Sequence, residues 1–422
     1  MPISLAEWLA YLESLHPKTI ALGLERVAQV KQRLNLNPDF PIVVVGGTNG
    51  KGSVCALLES ILFAAGYRVG CYTSPHLLKY NERIRIAKQQ ITDDELCASF
   101  GAIERVREDV PLTYFEFGTL AAMHYFLEHK VEVAILEVGL GGRLDAVNVF
   151  DSDCAVVTNV DIDHTEYLGK TREQIAHEKA GIFRKGCVAI CTDNDIPQAI
   201  TTQAQKVGAE LWRVGHEIKC MPNQGQWDYS SSLGARSALP YPALRGRFQL
   251  HNASAVLAAL DTLKYQLPVS MAAVRRGLSE VQLAGRFQLM PGRPTLIFDV
   301  AHNLHAAHAL AQNLADMPAY QHTYAVFAML QDKDIPGVVA AVNVHIDTWL
   351  VAGIAAARGA TTEYLEHQLQ NGMVRGEIKT FSQVAEALRF AYNVAGENDR
   401  IIVFGSFYTV AEAMGDAAPL AA

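Results

Sequence analysis

The chain first turns wholly apolar at Pro41–Val45, a PIVVV stretch of β-branched residues bounded by Pro and Gly. A strand with one wet face alternates apolar and polar residues, whereas an unbroken apolar run is covered on both faces, as in parallel sheets. The next apolar pattern, SVCALLESILFAA at 53–65, has the length and spacing of a helix, with Gly66 placed to end it. The alternation continues with a strand at 68–72, helices near 92–107 and 115–129, and apolar runs at 133–138 and 154–160. Strands and helices taking turns predict a parallel sheet covered by helices.

The pattern weakens between about 219 and 242 into a Gly-, Ser-, Asn- and Pro-rich stretch whose two apolar fragments read as hairpin material. It restarts at Thr295. TLIFDV, TYAVFAML, TWLVAG and RIIVFG are four strand-like runs separated by helical ones, which predicts a second, smaller α/β domain. The fold class is therefore α/β: an N-terminal parallel-sheet domain of P-loop type over 1–287 and a smaller Rossmann-like domain over 288–422. The pentapeptide GRFQL occurs at 246–250 and 285–289. With no continuing period it is no structural repeat; it reads as coincidence or as two similar loop-to-element junctions.

Composition narrows the partners more than the fold. Of 422 residues, 50% are hydrophobic and 19% charged, the balance of a globular chain able to bury a large core. The net charge of −8 disfavours nucleic acid as a partner, so an anionic ligand needs a local basic pocket. Seven cysteines form no CxxC pair, which suits a reducing compartment. The opening MPISLAEWLAYLESLHPK is amphipathic and acidic rather than a secretory signal, and no apolar run approaches a membrane span. A cytoplasmic monomer without a membrane partner is expected.

The strongest chemical signal is Gly46-Gly47-Thr48-Asn49-Gly50-Lys51-Gly52-Ser53, between the first buried strand and a helix. Glycines let backbone N–H groups turn toward a phosphate, the helix N-terminus adds positive potential, Lys51 supplies charge and Ser53 a hydroxyl for Mg²⁺. The spacing departs from G-x-x-x-x-G-K-[ST] by one residue fewer between the glycines and by the added Gly52. Glu137 ends the apolar run VAIL and precedes VGLGGRLD, and Thr158–His164 (TNVDIDH) follows the strand CAVV. In an α/β sheet, strand ends are where ligand residues are presented. The plainer readings are a solvated glutamate and a structural histidine, but a carboxylate in so apolar a strand is costly without a partner.

Read in series, GTNGKGS (47–53), TSPHL (73–77), LEVGLGGRLDA (136–146), DHT (163–165), EKAGIFR (178–184), GRFQ (285–288) and DVAHN (299–303) resemble the folylpolyglutamate synthase and dihydrofolate synthase family, relatives of the Mur ligases. The motifs span almost the whole chain. The resemblance implies an ATP-dependent amide ligase of folate biosynthesis, with its active site between two domains. Its substrates would be dihydropteroate, reduced folates and L-glutamate. It further implies that Gly47, Thr48, Asn49, Gly50, Lys51, Gly52, Ser53, Asn252, Arg286 and Asp299 contact ATP. Ser53, Ser74, Glu137 and His164 would ligate Mg²⁺. Lys179 matches a lysine carried in the superfamily as a CO₂-derived carbamate able to hold a second Mg²⁺; the bland alternative is an unmodified lysine on a helix face. Arg143, Leu144 and Asp145 would line the pterin pocket, and His302 and Ser406 would lie near glutamate. Lys51, His164, Lys179 and His302 are the implied catalytic set.

Thr113-Tyr114-Phe115-Glu116 offers flat aromatic faces beside polar groups, which suits a pterin ring, and it equally reads as a helix start capped by Thr113 with Glu116 three residues on. Two positions depart from the family pattern: Leu304 follows DVAHN where relatives usually have Pro, and Ala21 stands where a bifunctional bacterial member carries Asp. A monofunctional folylpolyglutamate synthase, a Mur-type ligase on a sugar nucleotide and a P-loop ATPase are the alternatives.

Overall fold

A computed structural model describes residues 2–18 and 20–417. Two compact units emerge, one of residues 1–243 and 249–281, the other of 244–248 and 282–422. Eight strands form the main sheet of the first unit: β1 (Ile42–Gly46), β2 (Val69–Tyr72), β3 (Ile84–Ile86), β4 (Gln89–Gln90), β5 (Val133–Glu137), β6 (Cys154–Val157), β7 (Val188–Cys191) and β8 (Glu210–Arg213). Their order is β4-β3-β2-β5-β1-β6-β7-β8. From β2 to β8 neighbours run parallel, while β3 and β4 add antiparallel pairs at one edge. Every residue of β1, β2, β5 and β6 is buried, the state their unbroken apolar runs require.

Local signals set the helices that cover this sheet. Thr92 caps the Asp93–Arg107 helix and Thr113 the Tyr114–Glu128 helix, each in a reciprocal capping box with a glutamate three residues on. One face of the sheet packs Trp8, Phe100, Phe117 and Phe126 with Tyr72 and Leu136 into a continuous core. Trp8 comes from the Leu5–Ser14 helix, whose capping box is Ser4 with Glu7.

The Gly- and Ser-rich stretch makes three strands, β9 (Lys219–Asn223), β10 (Gln226–Ser231) and β11 (Gly234–Pro240), in an antiparallel sheet ordered β11-β10-β9. Its anchor is Asp261, 3% exposed, near the end of the Phe248–Thr262 helix. One carboxylate oxygen accepts from Tyr229 Oη at 2.8 Å and Ser231 Oγ at 3.3 Å, and the other from Arg236 Nη2 at 2.5 Å.

In the second unit β12 (Gln288–Met290), β13 (Thr295–Asp299), β14 (Thr323–Phe327), β15 (Thr348–Ala352), β16 (Glu377–Phe381) and β17 (Arg400–Phe404) form a sheet ordered β12-β13-β17-β14-β15-β16. Only β12 is antiparallel to its neighbour. The four expected strands are its centre. The two edges, QLM and EIKTF, escaped notice because an edge strand is half solvated and needs no apolar run.

The chain changes unit between Val281 and Gln282, where the sequence pattern placed the boundary at 287/288. The first GRFQL copy contains the change of unit at 248/249 and the second begins a few residues after the change at 281/282, and Gly246 (φ +117°) and Gly285 (φ +68°) take left-handed conformations. One copy leads into the Phe248–Thr262 helix, the other into β12. Among the described residues no helix is long and apolar enough to cross a membrane.

Removing the anchor of the small sheet strands a half-buried cation, Arg236. Asp261→Ala is expected to lower unfolding free energy by about 3–5 kcal/mol, because Arg236 loses its carboxylate, while Asp261→Asn keeps part of the network and costs less. Urea unfolding followed by tryptophan fluorescence measures both, since Trp227 lies in β10.

Candidate active site

Parallel order brings four strand ends of the first unit side by side: β2, β5, β1 and β6 are neighbours, and Val45 pairs with both Glu137 and Val156. Beyond these ends lie Thr73 and Ser74, Glu137 itself, the 47–50 loop, and Thr158–His164. The carboxyl edge of such a sheet is where α/β proteins present ligand residues.

The loop is pressed against the β6 end. Gly47 has φ +140°, and a Cβ there would stand 1.8 Å from Thr158 Oγ1. Thr158 Oγ1 donates to Asn49 O at 2.6 Å, Thr48 N–H to Asn159 O at 2.8 Å, and Asn49 N–H to Asn159 Oδ1 at 2.7 Å. The N–H groups of Thr48 and Asn49 are thus engaged within the protein. Those of the first turn of the Lys51–Ala64 helix have no intrahelical acceptor, and Gly50 gives that helix no side-chain cap. Lys51 folds back, its Nζ 3.0 Å from Gly47 O and 3.2 Å from Thr48 O.

Ser53 is buried, and its Oγ accepts from Gln249 Nε2 at 3.2 Å; Gln249 Oε1 in turn accepts from Asn252 Nδ2 at 3.0 Å. Gln249 was not singled out from sequence, although Gln249 and Asn252, three apart on one helix face, held the signal. Glu137 is 5% exposed, and its Oε2 accepts the Ser74 N–H at 3.1 Å. His164 opens the short Thr165–Leu168 helix in a left-handed conformation, with Nε2 3.9 Å from Asp163 Oδ1. Among the described residues no three His, Cys, Asp or Glu side chains form a ready cation cage.

Lys179, on the Arg172–Ala180 helix, is buried, and desolvation helped by the Lys51 charge pushes its pKa down to about 7 against the pull of Asp163 and Asp145. Burial pushes Asp145 up to about 7, opposed by the Leu140 and Val147 N–H groups that its carboxylate accepts at 2.8 and 3.1 Å. Lys179 therefore feels the charges of Lys51, Asp163 and Asp145, and Asp145 that of Lys51. The GLGGR turn reaches the Lys179 helix by close backbone approach: a Cβ on Gly142 would lie 2.9 Å from the carbonyls of Glu178 and Lys179. Arg143 follows it, pairing with Glu178 at 2.9 Å, and Leu144 O accepts the Gly23 N–H at 3.3 Å.

At the Tyr114–Glu128 helix start, the helix-cap reading describes Thr113 and Glu116, whose side chains exchange bonds with each other's backbone at 3.2 and 2.8 Å. Glu116 is also paired with Arg26 at 2.9 Å, and Arg26 donates to Ala21 O at 2.7 Å. The aromatic faces pack separately. Phe115 lies 5.7 Å from Tyr72, and Tyr114 meets Tyr80 edge-on at 5.5 Å with the Arg83 guanidinium over both rings.

The remaining residues lie in the second unit. Asp299 ends β13, and its two oxygens accept the N–H groups of Phe287 and Ala301, each at 2.8 Å. Burial lifts its pKa to about 6 despite the nearby Arg286 charge. Arg286 sits 4.9 Å over the Phe407 ring, which is also 6.1 Å from the His302 ring. Phe407 thus joins two expected residues without having been expected itself. His302 Nδ1 stands 2.7 Å from Val300 O, a carbonyl that can only accept, so Nδ1 carries a hydrogen. Ser406 is buried: its Oγ accepts the Thr409 N–H at 3.0 Å and lies 2.7 Å from Thr409 Oγ1, whose hydrogen goes to Ala328 O. Leu304 begins the Leu304–Ala315 helix, which Asn303 caps without the help of a proline.

Residues 45–260 match the Mur ligase middle domain, and residues 285–407 match the Mur ligase glutamate ligase domain. The dihydrofolate synthase/folylpolyglutamate synthase of Escherichia coli K12 is 46% identical over 411 residues, covering 97% of this chain and 94% of that protein. That of Haemophilus influenzae is 42% identical over 427 residues, covering 97% and 96%. Among solved structures, E. coli FolC in complex with DHPP and ADP superposes with a TM-score of 0.95 at 44% identity, covering all of both chains. A bifunctional folylpolyglutamate synthase/dihydrofolate synthase with Mn, AMPPNP and L-glutamate bound gives 0.89 at 46% identity, covering 98% of each. Two matched domains and relatives of this identity along nearly the whole length make the chain a member of the dihydrofolate synthase/folylpolyglutamate synthase family of Mur-type, amide-forming ligases.

Proposed function

We propose that this protein joins L-glutamate to dihydropteroate, forming dihydrofolate, and to reduced folates, forming polyglutamates, with ATP driving each amide bond. The observation that carries the reading is the glycine-and-lysine loop beside buried oxygen donors at one sheet edge, in a chain so similar to enzymes of that name. An amine cannot displace oxide from a carboxylate, whereas phosphate leaves readily. The substrate carboxylate therefore attacks the γ-phosphorus, forming a C–O–P bond as ADP departs; the glutamate amine attacks the acyl carbon and phosphate leaves.

Each residue's role belongs to the proposal. Lys51 and the first-turn N–H groups after Gly50 hold the phosphates, with Gly47, Thr48, Asn49, Gly52 and Asn252 shaping the loop around them. Ser53, Ser74 and Glu137 supply hard oxygen donors and His164 an imidazole, a set that suits Mg²⁺ completed by nucleotide phosphates. When bound, Mg²⁺ neutralises phosphate charge. A second ion fits Lys179 as a carbamate: a lysine held near pKa 7 keeps the neutral amine that adds to CO₂. Tyr114 and Phe115, with Thr113, Glu116, Arg143, Leu144 and Asp145, frame the pterin. In the second unit the proposal assigns nucleotide contact to Arg286 and Asp299 and glutamate contact to His302 and Ser406.

The direct test is phosphate release with ATP across a panel of acceptors. The reading expects release only when glutamate and either dihydropteroate or tetrahydrofolate are both present. Release with tetrahydrofolate alone among the acceptors would reduce the protein to a monofunctional synthase, and release without any acceptor would make it an ATPase.

Lys51→Ala is expected to lower kcat by about a hundredfold or more through loss of transition-state charge stabilisation, with the unfolding midpoint unchanged. Carbamate formation at Lys179 releases a proton and uses the neutral amine, so ¹³CO₂ incorporation, read by ¹³C NMR, is expected to rise as pH increases through about 7. Lys179→Met should abolish that signal; its persistence in the variant would place the carbamate elsewhere.

A further inference from the structure

Behind the strand ends lies a buried fork that none of the assigned roles uses. Arg85, on β3, is paired with Glu59, and their side chains are 18% and 6% exposed. The contact is multidentate: Nε lies 3.1 and 3.2 Å from the two carboxylate oxygens, and Nη2 lies 2.8 Å from Oε2. The other arm donates from Nη1 to Thr73 Oγ1 at 3.1 Å and to Glu82 O at 2.6 Å, while Nη2 also reaches Cys71 Sγ at 3.3 Å. Glu59 belongs to the Lys51–Ala64 helix, six residues beyond Ser53. Thr73 directly precedes Ser74, whose N–H is held by Glu137.

One guanidinium therefore joins the helix that carries Ser53 to the segment that carries Ser74. A buried ion pair is weak evidence for stability, since apolar residues of similar volume serve a core as well. What an apolar pair cannot do is hold a hydroxyl in a fixed direction, and the planar fork of arginine does so on two sides at once. We propose that Arg85, braced by Glu59, is a positioning residue that sets the Thr73–Ser74 segment against the phosphate-loop helix, and so fixes the spacing of the oxygen donors that take the divalent cation. This inference rests on the assignment of Ser53, Ser74 and Glu137 to that cation.

Thr73→Val tests it most cleanly, because the substitution removes only the hydroxyl and leaves Arg85 with Glu59 and Glu82 O. The readout is Mn²⁺ affinity in the presence of AMPPNP, taken from the electron paramagnetic resonance signal of free Mn²⁺, beside AMPPNP affinity without metal and the unfolding midpoint. Outer partners of metal ligands are worth about 10–100-fold in affinity. Thr73→Val and Arg85→Lys are expected to weaken Mn²⁺ binding by about tenfold, Thr73→Ser to stay within about twofold of the parent, and metal-free AMPPNP binding to hold in all three. Parent-like Mn²⁺ affinity in Thr73→Val, or equal loss with and without metal, would overturn the positioning role. Glu137→Gln separates this from the underlying assignment: if it leaves Mn²⁺ binding intact, the donor set itself is wrong and the inference falls with it.

Discussion

The first unit is organised around a backbone contact with no room for a side chain. Gly47 leaves β1 against Thr158 at the end of β6, closer than any Cβ permits. Parallel pairing of β1 with β6 fixes where the two ends meet, and glycine lets the loop pass between them. The consequences spread from there. Thr158 and Asn159 then bind the loop's own backbone, the helix starts at Lys51 with no side-chain cap on its first N–H groups, and Ser53 is buried against Gln249. Thr192 adds a layer by donating its hydroxyl to Thr158 O.

Around this contact the protein buries charge that a core alone would not keep. Lys179 and Asp145 both titrate near 7, in opposite directions from their ordinary values, because desolvation disfavours the charged form of each. Glu59, Glu116 and Glu137 are also buried, the first two against Arg85 and Arg26. Perturbed groups gathered at the carboxyl edge of a parallel sheet mark a site built for chemistry rather than for stability.

Much of this was legible in the sequence, and what was missed has a physical pattern. PIVVV, VAIL and CAVV announced doubly buried strands because burial on both faces forbids polar residues. The loop and Glu137 stood out as candidates because glycines leading into a lysine and a carboxylate in an apolar strand are each locally anomalous, whereas Lys179 was marked only by its match to a family motif. Gln249, Phe407 and Arg85 were not, since a glutamine in a helix, an aromatic after a strand and an arginine beside charged neighbours are ordinary until the fold supplies their partners. β12 and β16 were missed for a related reason: half-exposed edges carry no apolar signature. Thr113, Glu116 and Ser406 show the reverse, since each turns its polar atoms into a helix cap or start as well as standing in a motif.

The central claim is that ATP activates a substrate carboxylate by direct phosphoryl transfer, and the oxygen atoms record whether it does. Dihydropteroate labelled with ¹⁸O in its carboxylate, turned over with ATP and L-glutamate, should give phosphate carrying one ¹⁸O per molecule of amide formed, read by mass spectrometry. Phosphate free of the label during productive turnover would mean that water, not the carboxylate, attacks the nucleotide, and would contradict the account.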